Sequence, residues 1–398
     1  MNQPPEEHKL LDFDTQIRQA FLNVVQAHIP LALHARNLTA EQLWDLLGHA
    51  ATQRSALEAT CQTLAEVPAA RTVRDHLAVA FPNTAEGLAN LERQLNAALH
   101  GQLPAAVQRR LQTKLWEGAG DWVALPYHGT DASENELVRG GQPKSGTSQF
   151  YTYATLAVLH KGLRVTVAIT VVRAGESVQQ SVKRLLEEAG RLGVRWRNVY
   201  WDKGFCTIEV LQYLRAQKLS YIIPIPQRGK GGIKKLFVER RSRRTRYTFQ
   251  RQKKGEGAVR YETDVVVVCK YSCGKYKKPG VRYFAYAVSG QEHLPVLRVF
   301  EAYRKRFSIE SGYRQMHQVQ AWTTSRNGTY RLLLVGLAVL LVNLYVLLRV
   351  SVGVVRRYGK RVRAAALTLV VLAAHLAENL RQRYGLRKLY ILRKGWLT

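Results

Sequence analysis

The stretch LRVTVAITVV at residues 163–172 constrains this chain more than any other. It is rich in β-branched side chains, which are stiff at χ1 and suit a pleated, half-buried surface. Lys161-Gly162 divides it from FYTYATLAVL at 150–159, so the two read as a hairpin. DWVALPYHG, beginning at Asp121, reads as a strand before them. After them comes a helix, SVQQSVKRLLEEAGRLG, capped at Ser177 and stopped at Gly193. RNVYWD is then a short buried strand closing on Asp202, IEVLQYLRAQ a second helix and YIIPIP a further strand.

Three antiparallel strands followed by helix, strand, helix and strand is the order of the RNase H-like fold. The expected class is therefore α/β: an RNase H-like catalytic core with a β-rich insertion and an all-helical N-terminal domain. Residues 1–117 form the helical part. There Thr39 with Gln42, and Ser55 with Glu58, stand in capping-box relation. Leu43, Leu46 and Leu47, then Leu57, Cys61 and Leu64, keep helical spacing. A short helix bearing Arg71 and Arg74 follows, a pattern shared by helix-turn-helix DNA readers and ordinary helical bundles. The core begins over 118–226; residues 227–298 are a basic β-strand insertion, 299–380 the core's C-terminal helices and 381–398 a basic tail.

Charge decides the kind of partner. The chain carries 60 Lys and Arg against 29 Asp and Glu, a formal net charge of +31. An excess of that size repels itself and calls for a polyanion, nucleic acid first. Within the insertion Arg240, Arg241, Arg243, Arg244 and Arg246 cluster beside Tyr247 and Phe249, a composition that tracks a phosphate backbone. The four cysteines are too scattered for a disulfide framework. Cys269 and Cys273 lack the second pair that a zinc site needs, and read as buried thiols in a strand. MNQPPEEHKL has no basic flank leading into an apolar run, so the expectation is no secretory signal and a reducing cytoplasm. The apolar run at 332–348 holds 17 positions and is interrupted by Asn343. It falls just short of the ~18–20 residues of a membrane span and reads as a buried core helix, with no membrane partner.

Three acids stand where chemistry is placed. Asp121 opens its strand, Asp202 closes the next buried one, and Glu310 lies on the helix after the insertion. Strand C-termini are where open α/β sheets carry their functional groups, and a buried lone carboxylate is costly. Two aspartates on neighbouring strands and a glutamate from a packing helix can meet at one point. Such an oxygen trio suits two Mg²⁺ ions, with Mn²⁺ able to substitute. Two ions about 3.5–4 Å apart activate an attacking oxygen and stabilise a leaving one, which is phosphodiester chemistry.

The neighbourhood of Glu310 agrees. In EAYRKRFSIESGYRQMHQ, with Tyr303 at zero, Arg306, Glu310 and His317 fall near −60°, −20° and −40° on a helix, and Arg314 near +20°. A carboxylate sharing a stripe with cations, a phenol and an imidazole can hold a phosphate strand beside metal ions.

Tyr303-x2-Arg306-x3-Glu310-x6-His317 resembles the Y-x2-R-x3-E-x6-K signature of DDE transposases from bacterial insertion sequences. DWVALPYHG and WDKGF look like that family's first and second aspartate motifs, and TTSRNGTYRLLLVGLAVLLVNLYVLLR is similar to the segment after its glutamate. The resemblance covers residues 121–349. It implies that Asp121, Asp202 and Glu310 bind Mg²⁺ and that Tyr303 and Arg306 contact the transposon end. It also implies that the helical N-terminal part binds terminal inverted repeats. The protein would cut double-stranded DNA at element ends, free 3′-hydroxyls and join them to target DNA, as a homodimer that pairs two ends.

Two departures shape the expectation. His317 stands in place of the signature's lysine, and a neutral imidazole grips phosphate less firmly than an ammonium, with Arg314 on the same stripe to compensate. EGAGD is a poor strand entrance, since glycine and alanine disfavour strands, which leaves Asp131 as rival to Asp121. A catalytically impaired, transposase-derived protein that bridges DNA ends is the alternative.

Overall fold

The computed structural model describes residues 12–31, 33, 37–130, 135–160, 163–227, 232–253, 256–273, 279–304, 308–351, 355–358, 361–364 and 367–390. At 163, 252–253, 256, 272–273, 279, 308–312, 351, 355–358 and 361–364 it describes the backbone alone. Helices open the chain: α1 (Phe13–His28), α2 (Ala40–Gln53), α3 (Leu57–Thr63), α4 (Ala70–Ala80), α5 (Ala85–Gly101) and α6 (Ala105–Thr113). The Thr39 cap forms as expected, its hydroxyl accepting from the Gln42 N–H at 3.1 Å. The Ser55 cap does not: α3 starts after Ala56 with no side-chain cap. Ser55 Oγ instead lies 3.3 Å from Thr60 Oγ1.

Strands β1 (Leu115–Pro126), β2 (Val138–Lys144), β3 (Thr147–His160) and β4 (Leu163–Val172) follow. Next come α7 (Val178–Arg191), β5 (Arg195–Trp201), a 3₁₀ turn (Lys203–Phe205), α8 (Ile208–Ala216) and β6 (Tyr221–Pro224), in the order the sequence implies. A second 3₁₀ turn (Gly232–Leu236) leads to β7 (Arg243–Lys253), β8 (Glu256–Cys273) and β9 (Pro279–Ser289). The remainder is α9 (Val296–Arg304), α10 (Ser308–Gln318), α11 (Gly328–Ser351), β10 (Val355–Tyr358), β11 (Arg361–Ala364) and α12 (Leu369–Tyr384).

The chain forms two compact units, Leu103–Tyr313 and Met1–Gln102 with Arg314–Thr398. This division differs from the five segments expected of the sequence, because the first helices close on the last ones rather than standing alone. In the sheet unit one mixed sheet runs β3-β1-β5-β6-β9-β8-β7, with β2 and β4 both pairing with β3. β1 and β5 are parallel, as are β5 and β6. The insertion is not a separate body: β9 pairs antiparallel with β6 and carries β8 and β7 outward in the same sheet. Of the arginine-rich run, Arg243, Arg244 and Arg246 lie in β7 at the sheet edge, and Arg240 and Arg241 precede it. Charged edge strands resist pairing with other chains.

The face carrying Ala119, Leu159, Tyr200, Ile222, Val266, Tyr286 and Val288 is covered by Val299 and Tyr303 of α9. This apolar layer fixes where α9 lies, and therefore where the chain enters α10.

The helical unit has its own core. α11 is long and apolar enough to cross a membrane, with a mean hydropathy of 2.4, yet 83% of that stretch is buried within the protein. A β-carbon on its Gly336 would come 2.3 Å from Leu95 of α5, so glycine there permits close helix approach. The last third, expected to be helical throughout, also contains an antiparallel hairpin in which β10 pairs with β11.

Candidate active site

β1 and β5 run in parallel with Gly118 opposite Val199, Ala119 opposite Tyr200 and Gly120 opposite Trp201. Asp121 and Asp202 are each the next residue, so the register sets the two acids side by side. Adjacent strands are about 4.8 Å apart. Asp121 sits in the middle of β1, not at its start, and Asp202 follows the last residue of β5.

The glycines that weaken EGAGD as a strand by propensity are the reason it is one here. A β-carbon at Gly120 would fall 2.1 Å from Cζ3 of Trp201, and one at Gly118 would fall 2.4 Å from Cζ3 of Trp196. Each glycine gives its space to an indole across the strand pair. Side chains alternate along a strand, so the residues after Gly120 and Trp201 turn to the other face. Phe205 locks this arrangement, its ring 4.9 Å from Trp201 and 4.6 Å from Trp122. The Phe205 N–H donates to the Asp202 carbonyl at 2.9 Å, which fixes the turn that carries Asp202. Both aspartates are half-buried.

On the far side of β1, Asp121 is opposite Thr155 of β3. Thr155 is buried, and its hydroxyl lies 2.8 Å from that of Tyr313 on α10. The Arg164 guanidinium, from β4, lies 5.4 Å from the centre of the Tyr313 ring. Burial lowers the Arg164 pKa from its ordinary value, while Tyr313 and the negative charge of Asp121 act against that shift. Further along the same face, Tyr200 donates to Glu117 at 2.9 Å. Burial and the nearby Glu117 charge raise the pKa of that phenol.

Glu310 lies on α10, three residues before Tyr313, and its side chain is outside the described residues. Among the described residues, no three His, Cys, Asp or Glu side chains come together. Arg306 and the rival acid Asp131 are likewise outside the described residues.

Tyr303 has a different place from the one expected. It is only 6% exposed, with its ring centre 5.2 Å from that of Tyr286 and 6.5 Å from that of Tyr200. Periodicity put it on a functional stripe, but α9 turns Tyr303 itself into the apolar layer, so its ring seats the helix. Arg314 and His317 are exposed, and His317 Nδ1 lies 3.0 Å from Gln320 Oε1.

The arginine cluster of the insertion divides in two. Arg240 and Arg241 are exposed. Arg243 donates to the Leu236 carbonyl at 3.1 Å and faces Glu239 at 3.4 Å. Arg244 donates to the carbonyls of Gln291, at 2.6 Å, and Leu294. The last two therefore hold the fold as well as adding charge.

Sequence reasoning missed Thr155, Arg164 and Tyr313. One signal was present: Arg164 is the one charged residue in a strand of apolar and threonine side chains, and a charge drawn into such a strand requires a partner.

The family model described as Transposase DDE domain matches residues 115–342, beginning on the first residue of β1. Among solved structures, the chain is similar to one described as a cryo-EM structure of the piggyBac transposase synaptic complex with hairpin DNA. The TM-score is 0.49 at 11% identity, over 93% of this chain and 79% of that one. No curated protein matches the chain.

Proposed function

The chain belongs to the DDE transposase family, and from that premise we propose that it hydrolyses DNA at the ends of a mobile element and joins the freed 3′-hydroxyls to target DNA. Asp121, Asp202 and Glu310 would hold two Mg²⁺ ions, or Mn²⁺ in their place. The donors fit: two half-buried carboxylates held side by side are hard oxygen ligands whose like charges a divalent cation offsets. Bound there, the ions would supply Lewis acidity at the scissile phosphate.

The protein's own contribution is placement. β1 and β5 keep the aspartates at a fixed separation, and the Trp122–Phe205–Trp201 cluster holds them on one face. Exposed Arg240, Arg241, Arg314 and His317 are suited to DNA phosphates. The net charge of +31 supports double-stranded DNA as the partner, and joining two element ends calls for a homodimer on DNA.

The observation that carries this reading is the alignment of Asp121 with Asp202 across the parallel pair. Its test uses duplexes bearing the inverted repeats that flank the gene, with Mg²⁺ present. Asp202→Asn should cut more than about 100-fold slower, a scale that outer-shell changes already reach at metal sites, while binding the same duplex normally in EDTA. Equal cleavage by wild type and variant overturns the proposal.

A further inference from the structure

The family signature accounts for Glu310 but not for what holds its helix. α10 meets the sheet through Tyr313, whose hydroxyl lies 2.8 Å from that of Thr155. Thr155 is the antiparallel register partner of Asp121, and directly opposed residues have Cα atoms about 4.5–5.5 Å apart. The contact is thus made beside the first aspartate. Three residues of helix rise about 4.5 Å, so Glu310 lies less than one turn from the point of attachment.

The attachment is specific in two ways. Thr155 is 2% exposed, so its hydroxyl has little access to water as a substitute if the bond were broken. The Tyr313 ring is also held by the Arg164 guanidinium over its face, a favourable contact when partly desolvated. β3 therefore grips the tip of the phenol while β4 grips its face.

We propose that Tyr313, through its hydroxyl bond to Thr155, is a positioning residue that fixes α10, and Glu310 with it, against the paired aspartates. The ring alone packs the helix onto the sheet; the hydroxyl sets its register. The inference rests on the metal-site reading above and adds to it a residue that touches neither metal nor DNA.

The test is a double-mutant cycle on the full-length protein, read by Mn²⁺ binding. Free Mn²⁺ is followed by electron paramagnetic resonance, so the readout does not depend on cleavage. Tyr313→Phe keeps the ring and Thr155→Val keeps the volume, and each should weaken Mn²⁺ binding about fivefold, the worth of one ordinary hydrogen bond. The double variant should be no weaker than either single one, since a single bond has been removed. Thr155→Ser, which keeps the hydroxyl, should restore wild-type binding. Duplex binding in EDTA should stay close to wild type for Tyr313→Phe.

Asp202→Asn separates the two levels of the argument. If it abolishes tight Mn²⁺ binding while Tyr313→Phe binds like wild type, the positioning role is overturned and the metal site stands. If Asp202→Asn leaves Mn²⁺ binding intact, the metal site is overturned and the positioning role falls with it. Additive losses in the double variant also overturn the shared bond.

Discussion

Two carboxylate clusters in this chain use the same residue types in opposite ways. In the helical unit, Asp45 of α2 is 2% exposed. It accepts from Arg18 of α1 at 2.9 and 2.6 Å and from the Tyr384 hydroxyl of α12 at 2.6 Å. Arg383 lies 3.8 Å away, and Arg383 and Arg18 both also reach Glu41. In the sheet unit an arginine and a tyrosine again attend an acid, but the Tyr313 hydroxyl is directed to Thr155 and the Arg164 cation lies over the Tyr313 ring. There the register sets a second carboxylate beside the first. Donors aimed at a buried acid from two helices, α1 and α12, make an anchor; two acids aligned on one face make a place for a cation.

That contrast is most sharply broken by Asp45→Ala. Removing one partner of a buried ion pair leaves the other charge uncompensated, and the expected loss is about 3–5 kcal/mol in urea unfolding. Asp202→Asn should cost less than that, since it removes the like-charge repulsion between two carboxylates aligned side by side. Comparable losses for the two variants would erase the distinction between anchor and working site.

Acid sharpens the same contrast. His49, also on α2, is buried with Nδ1 3.3 Å from Thr60 Oγ1. Burial, and then the positive charge of Arg381, pushes its pKa from 6.5 down to about 4. The unfolded chain takes up this proton near the ordinary value, whereas the folded chain does so only near the lowered one. Between them the unfolded state binds more protons, so stability falls as pH drops through that window and is fully present above it. The residue's share is up to about 3 kcal/mol. His49→Gln should flatten the decline between pH 6.5 and 4.5 in urea titrations; an unchanged slope would place the acid sensitivity elsewhere.

The parts legible in the sequence were those set by local pattern. The β-branched run at 163–172 is β4 to the residue, and Asp202 was found because an apolar strand ends on it. The rest was set by contacts far along the chain. Gly118 and Gly120 weaken a strand by propensity, and only the rings of Trp196 and Trp201 explain them. Helical periodicity put Tyr303 on a face with Glu310, but not which way that face turned, and α9 turned Tyr303 inward. Thr155, Arg164 and Tyr313 meet only after two hairpin pairings and a helix crossing, so no spacing announced them. β10 and β11 were hidden because VRRY and RVRA carry too many arginines to look like strands beside an apolar helix.

The smallest effects separate the two kinds of arginine in the insertion. Arg241 and Arg244 are both exposed, but Arg244 spends its guanidinium on the carbonyls of Gln291 and Leu294. Arg244→Ala should therefore cost about 0.5–1.5 kcal/mol of stability, the net worth of such hydrogen bonds. Arg241→Ala should leave stability unchanged but reduce the slope of log binding constant against log salt by about 1, the mark of one lost phosphate contact. Urea unfolding and duplex titrations at several salt concentrations measure both. The reverse pattern, with Arg244 changing the salt slope and Arg241 the stability, would mean that the β7 edge meets DNA through its anchored cations. Charge would then be doing at that edge what paired donors do around Asp45, holding a partner by groups already committed to the fold.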